Sequence, residues 1–367
     1  MEKNIVFFNF SDAGFFSHRS RYAEKLINDG YNVFLIAPIK YHKKKLNNIG
    51  IKTINLPIKK RYDFNPFRVF KIIYFLNQTL KQLKPKVLNN VGIVPIILGT
   101  VSSINQNFKI INSITGLGSL VINKSYKNLF LTYILKLIFL IFIRKTNIIV
   151  QNKTDKFFSE KLGLDKKKIF LVPGYGIDTQ IYKKSKQKNK IPKIILHSRL
   201  LRVKGIFDYF DAAKYLKKKK IRAKFYLFGA FDRNNPDNIN INDVKKLNIK
   251  NYFNYMGQDN KIQFFLNKFD IACLPSYREG LPRSLLECMA SKLPIITTNV
   301  PGNSEVVKNN YNGFLVKKKT PLQLAKALNK LILNRNLRLK MGKNSLKMCE
   351  LNFSTTIIFK KLDKIFK

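Results

Sequence analysis

Residues Ser276-Tyr-Arg-Glu-Gly-Leu-Pro-Arg-Ser-Leu-Leu-Glu-Cys-Met-Ala290 decide how the rest of the chain is read. The apolar run Phe269 to Leu274 leads into them and predicts a short buried strand. Pro275 and Gly280 then break the chain, and Pro282 stands where a first helical residue is favoured. Leu285, Leu286, Met289 and Ala290 recur at one-turn spacing, so the helix buries that side. A strand, a glycine turn and a helix N-terminus together point unpaired amides and the positive end of a dipole into a crevice, which suits an anion. Glu279 just before the helix and Glu287 inside it supply carboxylates that can hold the hydroxyls of a neutral, polyhydroxylated ligand. For the two glutamates taken alone, an ordinary capped helix with an acid near its start is the plainer alternative.

The stretch continues into Pro294-Ile-Ile-Thr-Thr and Pro301-Gly-Asn-Ser-Glu305. With Glu279-Gly-Leu-Pro-Arg-Ser-Leu-Leu-Glu287, these segments resemble the E-x7-E core of the GT4 family of retaining, nucleotide-sugar-dependent glycosyltransferases. The similarity is to the branch that builds lipid-linked bacterial surface glycans. It implies an α/β GT-B fold, two Rossmann-like doubly wound domains facing across a cleft. It further implies that Glu279 contacts the donor sugar, that Glu287 binds the ribose, and that Gly280, Leu281 and Pro282 line the donor site.

The patterning outside this stretch fits such a fold. Strand-like runs at Ile5–Phe10, Tyr31–Ala37, Ile51–Asn55, Lys86–Asn89, Lys109–Asn112, Asn147–Gln151 and Ile169–Val172 alternate with helical segments, among them Ser17–Asp29 and Pro66–Leu83. Continuous apolar strands alternating with helices predict a parallel, doubly wound sheet. The polar, lysine-rich residues after position 182 read as a linker, 183–191. The pattern then restarts at Lys193–His197 and includes a helix over Lys261–Lys268. The expected organisation is a first, acceptor-side domain at 1–182, a nucleotide-sugar domain at 192–352, and a helix at 353–367 that the resemblance sends back to the first domain.

His197-Ser-Arg-Leu-Leu-Arg-Val-Lys-Gly205 follows the first strand of the second half, at the strand end where such sheets bind ligands. Arg199 through its fork and Lys204 as a point charge can clamp a diphosphate. Surface charge is the alternative in so basic a chain. The segment resembles the family's S-R-L-x-x-x-K-G element, in which the Arg and Lys hold the donor's phosphates. Gly229 and Gly257 end strands and let a nucleobase approach the backbone. In the first half, Ser11 to Arg19 read as a loop in which Gly14 permits close approach of the donor. There His18 can touch the acceptor or the donor phosphate, and Ser17 can cap the next helix. Many GT4 members carry a glycine pair there, and this chain has Gly14 alone. Ser113-Ile-Thr-Gly-Leu-Gly-Ser119 is not a dinucleotide fingerprint but resembles the family's T-G-L-G loop, which makes Thr115, Gly116 and Gly118 acceptor-side residues. A structural turn is the other reading. Pro173-Gly-Tyr-Gly-Ile-Asp178 matches the family's P-G-x-G-[VI]-D ending of the first domain.

The net charge is +48, from 69 Lys and Arg against 21 Asp and Glu, so a polyanionic partner is implied, either nucleic acid or an anionic membrane face. The lysines are scattered, however, and compositional drift gives the same balance. No basic motif interleaved with aromatics is present, so a non-catalytic nucleic-acid-binding protein rests on charge alone. Cys273, Cys288 and Cys349 lack paired spacing and read as buried, reduced thiols. With no Asp-x-Asp and with His18, His42 and His197 isolated, neither a metal nor a cofactor is expected; the resemblance implies a UDP-sugar as co-substrate. Leu129–Ile143, broken by Lys136, is too short to span a bilayer and predicts a helix buried on one side or lying at an interface. The N-terminus lacks the apolar core of a signal peptide.

The expectation is therefore a protein on the cytosolic face of the inner membrane. The resemblance implies that it moves an N-acetylhexosamine from a UDP-sugar to a polyprenyl-diphosphate-linked glycan, without nucleic acid. A GT4 enzyme with a soluble or different lipid acceptor is the alternative.

Overall fold

The computed structural model describes residues 3–58, 66–116, 143–144, 146–182, 189–232, 235, 237–259 and 261–367. Gly118, nearly all of the Leu129–Ile143 segment and residues 183–188 of the linker lie outside them. The chain forms two compact units, Met1–Tyr175 with Phe359–Lys367, and Gly176–Ile358.

In the first unit, strands β1 (Asn4–Asn9), β2 (Asn32–Ala37), β3 (Lys52–Asn55), β4 (Val87–Val91), β5 (Lys109–Ile114), β6 (Asn147–Val150) and β7 (Ile169–Leu171) form one sheet in the order β3-β2-β1-β4-β5-β6-β7. Every pairing is parallel. β1 and β4 are buried along their whole length, because helices cover both faces of such a sheet. Those described here are α1 (Asp12–Asn28), α2 (Lys43–Asn48), α3 (Pro66–Leu83), α4 (Ile93–Ser102) and α5 (Lys153–Lys161). Ile72, Leu76 and Leu80 of α3 pack with Val6, Phe8 and Leu88 of the sheet.

The start of α1 corrects one expectation. Ser11, not Ser17, is the cap, its Oγ accepting the Gly14 amide at 3.0 Å, as short hydroxyl side chains at a helix start do. Asp12 then fixes this end: one carboxylate oxygen accepts the amides of Lys40, Tyr41 and His42 at 2.9, 2.7 and 3.0 Å. The expected loop Ser11 to Arg19 is therefore helix from Asp12 onward, with Gly14 in its first turn and His18 on its exposed side.

In the second unit, β8 (Lys193–His197), β9 (Lys224–Phe228), β10 (Phe253–Tyr255), β11 (Ile271–Leu274), β12 (Ile295–Thr298) and β13 (Gly313–Val316) form a parallel sheet ordered β10-β9-β8-β11-β12-β13. Helices α6 (Ile206–Lys218), α7 (Ile241–Lys245), α8 (Arg283–Ala290), α9 (Asn303–Val306), α10 (Pro321–Leu333) and α11 (Arg335–Phe353) complete it, and α12 (Thr355–Phe366) starts in it. The helix expected over Lys261–Lys268 is instead two 3-10 turns, Ile262–Phe264 and Leu266–Lys268. The carbonyls of Lys261 and Ile262 are taken by amides three residues on, at 2.9 Å each, which closes the tighter turn.

Pro173-Gly-Tyr-Gly-Ile-Asp178 has left-handed Gly174 and Gly176, φ 70° and 78°. A Cβ on Gly176 would stand 2.8 Å from the Thr355 Cα, so only glycine fits there. Ile177 bridges the break between α11 and α12, donating to the Phe353 carbonyl at 2.8 Å and accepting from the Thr355 amide at 3.0 Å. The last residues of α12 belong to the first unit, where Phe366 packs among Phe7 and Tyr22 and Asp363 accepts the Tyr22 hydroxyl at 3.0 Å. No helix among the described residues is long and apolar enough to cross a membrane, and Cys273, Cys288 and Cys349 are buried.

Candidate active site

β8 and β11 are neighbours, and the chain order runs outward from them in both directions. That is the switch point of a doubly wound sheet, where the loops leaving the two central strands diverge and open a crevice. The loop after β8 carries Arg199, Lys204 and Gly205; the loop after β11 carries Glu279 and Gly280. The two motifs are 75 residues apart in sequence and meet here. Tyr277 donates its amide to the Val203 carbonyl at 2.7 Å, and Lys204 Nζ donates to Glu279 Oε1 at 2.6 Å. Both side chains are largely enclosed, Lys204 15% and Glu279 8% exposed. Removing either partner would leave the other enclosed without its ion pair.

Two glycines set the distance between these loops. Gly205 has φ 70°, and a Cβ there would lie 2.0 Å from the Pro275 carbonyl oxygen. Gly302 has φ 81°, and its Cβ would lie 2.5 Å from the Gly280 carbonyl oxygen. The segment after β12 therefore rests directly on the Glu279–Gly280 backbone. Asn303, fully buried, donates to Ser276 Oγ at 3.0 Å and Thr298 Oγ1 at 2.9 Å. This brace was legible only as a quoted motif, Pro301 to Glu305, with no role attached to it.

Pro282 is the residue before α8 rather than its first member; its carbonyl accepts the amides of Leu285 and Leu286 at 3.0 and 3.3 Å. The first-turn amides of Arg283 and Ser284 have no acceptor within the helix, and this helix start follows the loop that carries Glu279. Leu281, partly buried, packs against the core below. One turn into α8, Glu287 accepts from Arg283 Nε at 2.9 Å. Arg199 is more open, 55% exposed, and holds Asp232 at 2.7 Å. Gly229 and Gly257 are joined, the Gly229 amide donating to the Gly257 carbonyl at 2.8 Å. A Cβ on Gly229 would stand 2.0 Å from the Ser198 carbonyl oxygen, so the loops after β8, β9 and β10 are stacked at one end.

Gly14, His18, Thr115 and Gly116 belong to the first unit. Thr115 is exposed just past β5, and Gly116 has φ 131°; Gly92 at the end of β4 lies beside them, its amide donating to the Ser113 carbonyl at 2.9 Å.

Comparison with known proteins follows this division. A family model described as Glycosyl transferases group 1 matches residues 178–348, and one described as Glycosyl transferase 4-like matches residues 4–152. The chain belongs to the group 1, GT4-like glycosyltransferases. It is 27% identical, over 99% of its length and 98% of the other, to N,N'-diacetylbacillosaminyl-diphospho-undecaprenol alpha-1,3-N-acetylgalactosaminyltransferase of Campylobacter jejuni. Its fold matches a glycosyltransferase from Rickettsia africae with a TM-score of 0.82 at 20% identity, covering 100% of this chain and 98% of that one. It also matches Anabaena HepE in complex with UDP-glucose, with a TM-score of 0.78 at 16% identity and 98% of each chain covered. The two parallel sheets are those of the GT-B fold.

In this glycosyltransferase His197 is the site-adjacent residue that the sequence reading left out. It ends β8, is 11% exposed, donates from Nε2 to the Ser284 carbonyl at 3.1 Å, and lies 3.9 Å from Glu287. Its position at the end of a central strand was the available signal. Burial holds the ring below the ordinary imidazole pKa, against the Glu287 carboxylate and the Ser284 carbonyl, which favour the proton. The folded state thus refuses a proton that the unfolded chain accepts near pH 6.5. Stability is full above that pH and falls as the pH drops toward the folded value, by at most about 1.4 kcal/mol per pH unit. Asp208, which burial holds above the ordinary carboxyl pKa, acts in the opposite sense. Urea unfolding of wild type and His197→Gln between pH 7 and 5 should therefore show a steeper loss in wild type; equal slopes would mean His197 is protonated in the folded state.

Proposed function

We propose that this glycosyltransferase moves an N-acetylhexosamine from a UDP-sugar to a polyprenyl-diphosphate-linked glycan, with retention at the anomeric carbon. The observation that carries the reading is the Lys204–Glu279 pair closed across the switch point. The crevice holds a cation for a diphosphate, a carboxylate for a sugar, and free amides at the start of α8. The activity named for the Campylobacter relative supports an undecaprenyl-diphosphate-linked acceptor, and the HepE complex supports a UDP-linked donor.

As the bond between the anomeric carbon and the diphosphate oxygen breaks, negative charge grows on the leaving group while the sugar becomes oxocarbenium-like. The largely enclosed Lys204, the more open Arg199 and the amides of Arg283 and Ser284 supply the positive groups that stabilise that charge. The donor displaces the internal pair: its phosphate takes the Lys204 ammonium, and a sugar hydroxyl takes the Glu279 carboxylate. Glu287, held by Arg283, binds the ribose. Gly280, Leu281, Pro282, Gly229 and Gly257 let the donor approach the backbone. His18 and Thr115 with Gly116 serve the acceptor side. No metal is required on this reading, so chelation with EDTA should leave turnover unchanged; loss of turnover that Mg2+ restores would overturn that part. The lipid-linked acceptor brings the enzyme to the cytosolic face of an anionic membrane.

The test is UDP release from a panel of UDP-sugars, with and without polyprenyl-diphosphate glycolipids extracted from bacteria. Release that needs one sugar and the glycolipid supports the reading. Equal release with a water-soluble glycan overturns the lipid acceptor, and no release with any UDP-sugar overturns the donor.

A further inference from the structure

One face of α3 faces outward with the wrong residues for water. Its inner stripe, Ile72, Leu76 and Leu80, is buried. Its outer stripe nevertheless carries Phe67, Phe70 and Tyr74, which are 81%, 70% and 61% exposed. Three large aromatics at i, i+3 and i+7 lie on one side of a helix, and a contiguous apolar patch of this kind marks an interface. Arg68, Lys71 and Lys81 of the same helix are exposed around it. Acid is almost missing: Asp63 is the single acidic residue between Asp29 and Asp155. The carboxyl end of α3 leads into β4, so its Phe67 end lies at the carboxyl end of the first sheet. Tyr41, 80% exposed, leaves β2 at that same end.

We infer that the Phe67–Phe70–Tyr74 face of α3 is the surface by which the enzyme docks on an anionic lipid bilayer. Aromatic rings with a cationic border and no acids match an interfacial helix: the rings enter the headgroup boundary and the lysines and arginines meet lipid phosphates. A second copy of this chain is a poor occupant, because two faces of the same strong positive charge repel. Docking there also keeps the Phe67 end of α3, and with it the carboxyl strand ends of the first unit, close to the surface that would bear a lipid-linked acceptor. The inference deepens the proposed acceptor reading and rests on it for its purpose, but its test needs neither donor nor acceptor.

The protein contains no tryptophan, so Tyr74→Trp gives one reporter. With vesicles of phosphatidylglycerol and phosphatidylcholine, its emission should shift to the blue and be quenched by lipids brominated on the acyl chain. Tyr31→Trp is the control: it sits at the other end of the same sheet, between Lys3 and Lys86, and should be unquenched. The triple change Phe67→Ser, Phe70→Ser and Tyr74→Ser should lower partitioning onto these vesicles on the order of 100-fold while leaving the urea midpoint in place. Equal quenching at both tryptophans, or unchanged partitioning of the triple variant, would reduce the interaction to diffuse charge and overturn the inference. A blue shift that follows protein concentration without vesicles would assign the face to a second copy and overturn it likewise. Vesicle binding through α3 in an enzyme inactive on every glycolipid would leave the docking face standing and defeat the acceptor reading alone.

Discussion

Glu279→Gln is expected to lower kcat about a thousandfold while UDP itself still binds. The carboxylate is 8% exposed and paired with Lys204 at 2.6 Å, so nothing in bulk water substitutes for it. Glutamine keeps the shape and one acceptor oxygen but loses the charge that the positive character of the opening sugar requires. Glutamine also releases Lys204, which stays available to the diphosphate; UDP affinity should hold or tighten even as turnover collapses. That divergence separates a role on the sugar from one in holding the loops together. A purely structural Glu279 would lose UDP binding and turnover in step. Alanine is the harsher change, since it leaves a mostly enclosed ammonium without a partner at a cost of about 3 kcal/mol or more. Kinetics on the glutamine variant, with calorimetric titration of UDP, are therefore the cleaner comparison. A Glu279→Gln enzyme with more than a tenth of wild-type kcat would remove the residue from the chemistry.

Gly205→Ala carries the second large effect. The residue sits in the left-handed region, φ 70°, and the added methyl would stand 2.0 Å from the Pro275 carbonyl oxygen. Backbone on both sides of the contact must shift, because no flexible side-chain end is there to give way. The left-handed conformation alone costs an alanine about 1–2 kcal/mol, and the clash adds to it, for a total of about 3 kcal/mol. The movement falls on the link between Lys204 and the loop that carries Glu279. UDP affinity should consequently drop by more than the stability loss explains, by roughly tenfold under conditions where the variant is still fully folded. Urea unfolding with UDP titration checks both; a variant with wild-type midpoint and affinity would show that the two loops tolerate separation.

The parts of the site were legible in the sequence because each is local. Strand, break, helix and acids follow one another within Phe269 to Glu287, and the Arg199–Gly205 loop follows its strand directly. Their meeting was not legible from the residues themselves. It depends on β8 pairing with β11 while β9 and β10 go to the other side, and no periodicity encodes strand order. The resemblance to GT4 enzymes supplied it instead. The start of α1 was misplaced because Ser17 is as good a capping residue as Ser11, and what decides between them is Asp12 binding amides nearly thirty residues away. α4 went unread for a different reason. Ile93 to Ser102 is apolar nearly all round and contains Pro95 and Gly99, so it has no amphipathic period. Gly99 is needed there because a Cβ would meet the buried Asn90 side chain at 2.0 Å. His197 shows the same limit at the site: its place under α8 comes from packing, through Ser284 and Glu287.

Calorimetric titration of UDP into wild type and Lys204→Met tests the central claim most directly, namely that the crevice between the ends of β8 and β11 is the nucleotide-sugar site. Wild type should bind UDP, and Lys204→Met should bind it about 100-fold more weakly, as loss of a charge-assisted contact to phosphate in an enclosed site implies. Wild-type affinity in Lys204→Met would contradict the account and move the nucleotide elsewhere.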